Sequence, residues 1–222
     1  MSKSTSKIEF IAGYTLFFVA LWLLWGTPLV YPVKIFVVLL HEISHAAIAV
    51  ATGGHIDRIE LSPLEGGACY CPGGNAFLTA SAGYLGSSAW GGLMFMAARA
   101  RRIRADWVTG FIGVLVVALS VLYVRTAFGL VFGVLFGLAM LGVARKATRS
   151  LNRTLLFGLG LTSVLYAILD IKSDILDRPG VESDAYILSQ LTGVPTVVWG
   201  IAWISLALAF SFWLLRGAYR EA

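Results

Sequence analysis

Charge is scarce in this chain. Asp, Glu, Lys and Arg make up 13% of the 222 residues, about half the share a soluble domain carries. A water-facing globular surface cannot be built from so little, and the mean hydropathy of +0.82 points the same way. Cysteine is nearly absent: Cys69 and Cys71 are the two present, too few for a disulfide framework. Their i, i+2 spacing reads as poor for a mutual bond, so Cys69-Tyr70-Cys71 is expected to be a loop feature. A metal site of their own would need more ligands than their surroundings offer. Sequence repeats, low-complexity tracts and a soluble insert are also lacking, which predicts a single membrane domain over 1–222.

What the chain has is long apolar runs. They are too long and too continuous for the alternating strands of a barrel. The expected fold is an all-α integral membrane protein, a polytopic helical bundle of about six to seven spans. The net charge of +5 belongs to loops, where basic residues set topology, and implies no nucleic-acid partner. Spans are predicted at about Phe10 to Val30, Lys34 to Ala51, Ala76 to Ala98, Trp107 to Val124, Thr126 to Ala144, Thr154 to Leu169 and Thr196 to Leu215. The first run is too long for a signal-peptide core and lacks a small-residue cleavage site, so a retained span is expected. A short apolar helix from Ala185 to Leu191 precedes the last span, broken by Thr192-Gly193-Val194-Pro195.

The second span carries His41-Glu42-Ile43-Ser44-His45. Residues i and i+4 of a helix stack on one face, so His41 and His45 can offer two imidazole nitrogens to one cation. Glu42 sits a residue further round, within reach of a water on that cation. This is the zinc-hydrolase pattern: two His ligands, a third ligand from elsewhere, and Glu as general base. Ionisable groups in a membrane helix are costly, roughly 2.5–3.5 kcal/mol each when charged at the bilayer centre. Histidines satisfied by interhelical hydrogen bonds would have no reason to keep ligand spacing.

Gly53-Gly54 ends that helix. The following segment is short, β-branched and rich in paired glycines, including Gly66-Gly67 and Gly73-Gly74. It reads as one or two short strands with tight turns. His55 lies ten residues after His45, whereas the extended zinc-protease signature sets its third His about six residues on. His55 therefore reads as a loop residue. For the third ligand Asp170, closing an apolar span, is preferred, with Asp174 and Asp184 as alternatives. Asp184 starts a helix, where an acidic side chain has an ordinary capping role. Gly129, Gly133 and Gly137 form a small-residue face suited to an internal neighbour, with a homo-oligomer contact as the other reading.

These features together resemble the site-2 protease family of intramembrane zinc metallopeptidases, and more narrowly its small, single-domain M50B-like branch. The pentad is the specific part. Gly53-Gly54, Gly66-Gly67, Ala82-Gly83-Tyr84, the Asp170 and Asp174 pair, Ser183-Asp184-Ala185 and Trp199-Gly200 support it. The resemblance implies a zinc ion on His41, His45 and a late Asp, with Glu42 activating water against a peptide bond of a substrate transmembrane helix. It implies that the strand-like loop, at Ile56, Arg58, Ile59, Leu61, Gly66 and Gly67, binds unwound substrate as an added strand. The chain departs from better-known members in having Leu169-Asp170-Ile171 where they have Leu-Asp-Gly, and it carries no PDZ insert.

The expected partners are a transmembrane protein or peptide substrate and the lipid bilayer. A bacterial plasma membrane is the expected location. With seven spans, Lys3, Lys7, Arg58, Arg125, Lys172 and Arg178 share one face, six basic residues against eleven on the other. The positive-inside rule then places the loop after the pentad outside the cytoplasm, while the resemblance implies the cytosolic face. Two other functions compete: a metal-binding scaffold without activity, and a cation transporter. An intact Glu42 favours the peptidase over the scaffold. The lack of internal repeats and paired broken helices disfavours the transporter.

Overall fold

A computed structural model describes residues 3–172 and 182–221. In chain order the elements are α1 (Lys3–Leu24), α2 (Tyr31–Ala51), β1 (Arg58–Leu61), β2 (Gly67–Tyr70), α3 (Ala76–Arg99), α4 (Ala105–Tyr123), α5 (Ala127–Lys146), α6 (Arg149–Lys172), α7 (Asp184–Thr192) and α8 (Thr196–Glu221). Six of the helices, α1, α2, α4, α5, α6 and α8, are long and apolar enough to cross a membrane. The Gly- and Ser-rich α3 is as long as α6 and packs between α2 and α6. The helical bundle with a small hairpin is the architecture the apolar runs predict. Several boundaries differ: α1 begins at Lys3 rather than Phe10, and α8 runs on to Glu221 rather than Leu215. α1 stops at Leu24, because Gly26 and Pro28 turn the chain before Val30. α6 starts earlier than expected, at Arg149, because Thr148 caps it, its hydroxyl accepting from the Leu151 N–H at 3.2 Å.

The bundle is built around α2. Residues Ile35 to Leu40 are all buried, as expected of a helix that is apolar on every side. The outer helices do the reverse. On α1, Leu16, Trp22 and Leu23 are each about 70% exposed, the surface of a helix whose solvent is hydrocarbon.

Close helix approach depends on glycine. A Cβ on Gly91 of α3 would stand 2.7 Å from the Gly160 carbonyl oxygen of α6, and the reverse distance is also 2.7 Å. Gly113 of α4 and Gly137 of α5 meet in the same way. Gly129, Gly133 and Gly137 are buried against β1 and α4, so the small face of α5 serves an internal neighbour. Gly91→Val is therefore expected to destabilise the protein by about 1–3 kcal/mol, read as a lower unfolding temperature in detergent. Gly158→Ala, where a Cβ meets open space, should leave it nearly unchanged.

After α2 the chain turns through Gly53, at φ +95°, a left-handed position that favours glycine. Gly54 then donates back to the Ala49 carbonyl at 2.8 Å. β1 and β2 pair antiparallel, with Arg58 opposite Tyr70 and Leu61 opposite Gly67. Ile59 and Leu61 point into the core. Arg58 and Glu60 point out and pair at 2.8 Å. The hairpin tip is tied to the start of α2: Tyr31 donates to the Pro63 carbonyl at 2.8 Å. Buried Lys34 lies 3.1 Å from Glu65 and over the Trp25 ring.

The cysteine expectation is corrected here. Cys69 and Cys71 are disulfide-bonded. Cys71 lies just past the end of β2, where the chain bends, and the two Cα atoms are 5.5 Å apart, inside the range a disulfide spans.

Candidate metal centre

α2 turns His41 and His45 the same way, with ring centroids 4.8 Å apart. The residue that meets them comes from the other end of the chain. Asp184 is the first residue of α7, whose N-terminus is capped by Ser183 accepting from the Tyr186 N–H at 3.2 Å. Because Ser183 does the capping, the Asp184 side chain is free of that role. One carboxylate oxygen lies 3.1 Å from His41 Nε2 and the other 3.2 Å from His45 Nε2. Asp170, the ligand preferred from sequence, is not in this group; it lines the same cavity. Asp174 falls outside the described residues. His55 pairs with Asp57 at 3.2 Å on the exposed loop, as expected of a loop residue.

The three side chains fit a zinc ion. Ligand atoms about 2.0–2.2 Å from a tetrahedral zinc lie roughly 3.3 Å from one another, close to the two distances observed. Asp184 Oδ2 is buried and has no hydrogen-bond donor among the described residues. A shared cation would satisfy it. His45 Nδ1 lies 2.7 Å from the Thr79 carbonyl of α3, to which it donates, leaving Nε2 with its lone pair directed at the centre. Metal-binding histidines are oriented by this kind of outer hydrogen bond.

Glycine shapes the walls. A Cβ on Gly83 would run into His41 Nε2 and Asp184 Oδ2, so only glycine lets α3 pass this close to the centre. A Cβ on Gly67 would stand 2.6 Å from Glu42 Oε1. Glu42 is buried and points at β2, where it accepts from the Cys69 backbone N–H. It borders the same cavity, of about 630 Å³, that the three other side chains face.

The hairpin shows one edge to this cavity. Ser62 donates to the Gly66 carbonyl at 2.8 Å. From that bonded pair the antiparallel alternation turns the N–H and C=O groups of Ile59, Leu61, Gly67 and Cys69 away from the partner strand. On the β1 side they are occupied: Arg125 donates to the Ile59 carbonyl, and Thr126 Oγ1 bonds both Leu61 groups. On the β2 side they face the cavity and Glu42. The predicted strand contacts are corrected accordingly. Gly66 and Gly67 line the cavity; Ile56, Arg58, Ile59 and Leu61 do not. Ala68, Cys69, Tyr70 and Cys71 line it in their place. Sequence patterning identified the hairpin but carried no signal for which strand lay nearer the pentad.

Neither the curated proteins nor the solved structures contain a match to this chain. A family model described as Peptidase M50B-like matches residues 14–214, a stretch that takes in α2, the hairpin and Asp184. This multi-pass helical membrane protein belongs to the Peptidase M50B-like family.

Proposed function

We propose that this protein is an intramembrane zinc metalloendopeptidase, located in a bacterial plasma membrane, that cleaves transmembrane segments of membrane proteins. One observation carries the reading: buried His45 and the half-buried His41 and Asp184 bring their ligand atoms within 4.8 Å of one another, and the buried Glu42 stands beside them. His41, His45 and Asp184 would hold the ion. When bound, zinc would polarise the scissile carbonyl and lower the pKa of water.

The rest belongs to the chain's own side chains. The Glu42 carboxylate takes the proton from the attacking water and returns it to the departing amine. The Cys69 N–H steadies that carboxylate on the β2 side of the cavity. A helical substrate hides its peptide bonds in its own hydrogen bonds, so it must unwind before attack. The outward groups of Gly67 and Cys69 offer the unwound stretch a strand edge. A catalytically silent scaffold would need the three ligands but not a buried, oriented Glu42.

The test is zinc content and cleavage by the detergent-purified chain. About one zinc per chain is expected, with cleavage of a transmembrane peptide inside its apolar stretch. Chelation should abolish the cleavage and added zinc restore it. A wild-type protein that takes up no zinc when supplied with it would overturn the reading.

Gly67→Ala supplies a finer check. The new methyl must displace Glu42, and misplacing a catalytic group by about 1 Å costs roughly 100-fold. The expected result is a fall in kcat of that order with zinc retained.

A further inference from the structure

Cys69 on β2 and Cys71 just past its end both line the cavity beside the proposed catalytic base. They are half-buried, they line the cavity, and they are bonded to each other. The backbone N–H of Cys69 is the donor that holds Glu42. A bond between Cys69 and Cys71 closes a ring around Tyr70 and restricts the backbone on the edge offered to substrate.

From this placement we infer that Cys69 and Cys71 are a thiol–disulfide modification site, whose oxidation state sets how well the β2 edge is organised for substrate. The regulatory half rests on the peptidase reading above. The chemistry is exchange with a low-molecular-weight disulfide. One cysteine thiolate attacks that disulfide, its S–S bond breaks, and one small thiol leaves. The second cysteine thiolate then attacks the protein-bound sulfur and expels the second small thiol. The two electrons pass from the protein to the small disulfide, and the two cysteine protons end on the released thiols. A small dithiol reverses both steps.

Oxidised, the edge is already ordered when substrate arrives, and a preorganised site binds more tightly. Reduced, the backbone of residues 69–71 must be ordered on binding. The expected penalty is a KM about fivefold higher, the scale of fixing one residue's backbone. Zinc content should not change, because no zinc ligand moves.

The experiment uses the zinc-loaded full-length chain in detergent, treated with excess dithiothreitol or with excess glutathione disulfide. Iodoacetamide adducts counted by intact mass report the thiols, and cleavage of a transmembrane peptide reports KM and kcat. Two adducts with a raised KM after reduction, none with a low KM after oxidation, and equal zinc in both support the inference. The double variant Cys69→Ser/Cys71→Ser should match the reduced wild type and respond to neither reagent. Cys69→Ala/Cys71→Ala repeats the test if the serines impair folding. Thiols that stay alkylatable in excess glutathione disulfide would overturn the modification site. An unchanged KM with a verified change of thiol state would overturn its regulatory role. A zinc-loaded protein that cleaves in neither state overturns the peptidase reading and the regulation with it, while the adduct count still decides the modification site.

Discussion

Glu42→Gln is expected to leave zinc bound and to lower cleavage by roughly 10²- to 10⁴-fold, the range a positioned general base contributes. Glutamine has the same shape, and its carbonyl oxygen can still accept from the Cys69 N–H that holds Glu42. It meets the same bare Gly67 wall. The substitution thus removes a proton acceptor and little else. The measurement is a pair: zinc per chain by mass spectrometry, and initial cleavage rate on one transmembrane peptide. Cleavage within a few-fold of wild type would mean that water is activated elsewhere, and the role of Glu42 would fall. The scaffold reading makes a different forecast, with zinc bound and no cleavage in either protein.

Asp184→Asn should empty the centre, and Asp170→Asn should not. Asp184 reaches both histidines through separate oxygens at 3.1 and 3.2 Å. Asparagine offers one neutral oxygen and turns an amide N–H₂ toward the other imidazole. Loss of an outer-shell partner typically lowers metal affinity about 10- to 100-fold, and loss of a direct anionic ligand should exceed that. Asp170 shares the cavity but not the ligand cluster, so its variant should keep near-stoichiometric zinc. Competition against a chromophoric chelator gives both affinities. The opposite ranking would return the third ligand to Asp170.

Asp170 was preferred from sequence for a reason that is sound locally. It closes an apolar span, whereas Asp184 stands where helices are ordinarily capped. Two facts of assembly decide otherwise. Ser183 already caps α7, and α3 is thinned by Gly83 so that the first turn of α7 can reach the histidines. The hairpin shows the same division. Paired glycines and alternation marked it as strand and turn. Which edge stays open depends on Arg125 and Thr126, more than sixty residues further on, bonding β1. The disulfide is not legible in a two-residue spacing, because it depends on the backbone bending where β2 ends, which brings the two Cα atoms to 5.5 Å.

The sequence by itself determined the membrane class and the order of the helices, and it nominated three of the four side chains that the structure brings to one cavity. These follow from local properties: apolar runs of spanning length, glycines and prolines that end helices, and the i, i+4 geometry that stacks His41 on His45. Tertiary structure alone decided the fourth residue, the open strand edge, and the internal use of the α5 glycine face. Each depends on which surfaces meet across long stretches of chain, and in a bundle of apolar helices that choice rests on shape. Lipid and helix faces are equally apolar. Close approach at positions such as Gly83, Gly91 and Gly160 therefore sets the packing, and the packing places Asp184 in the centre.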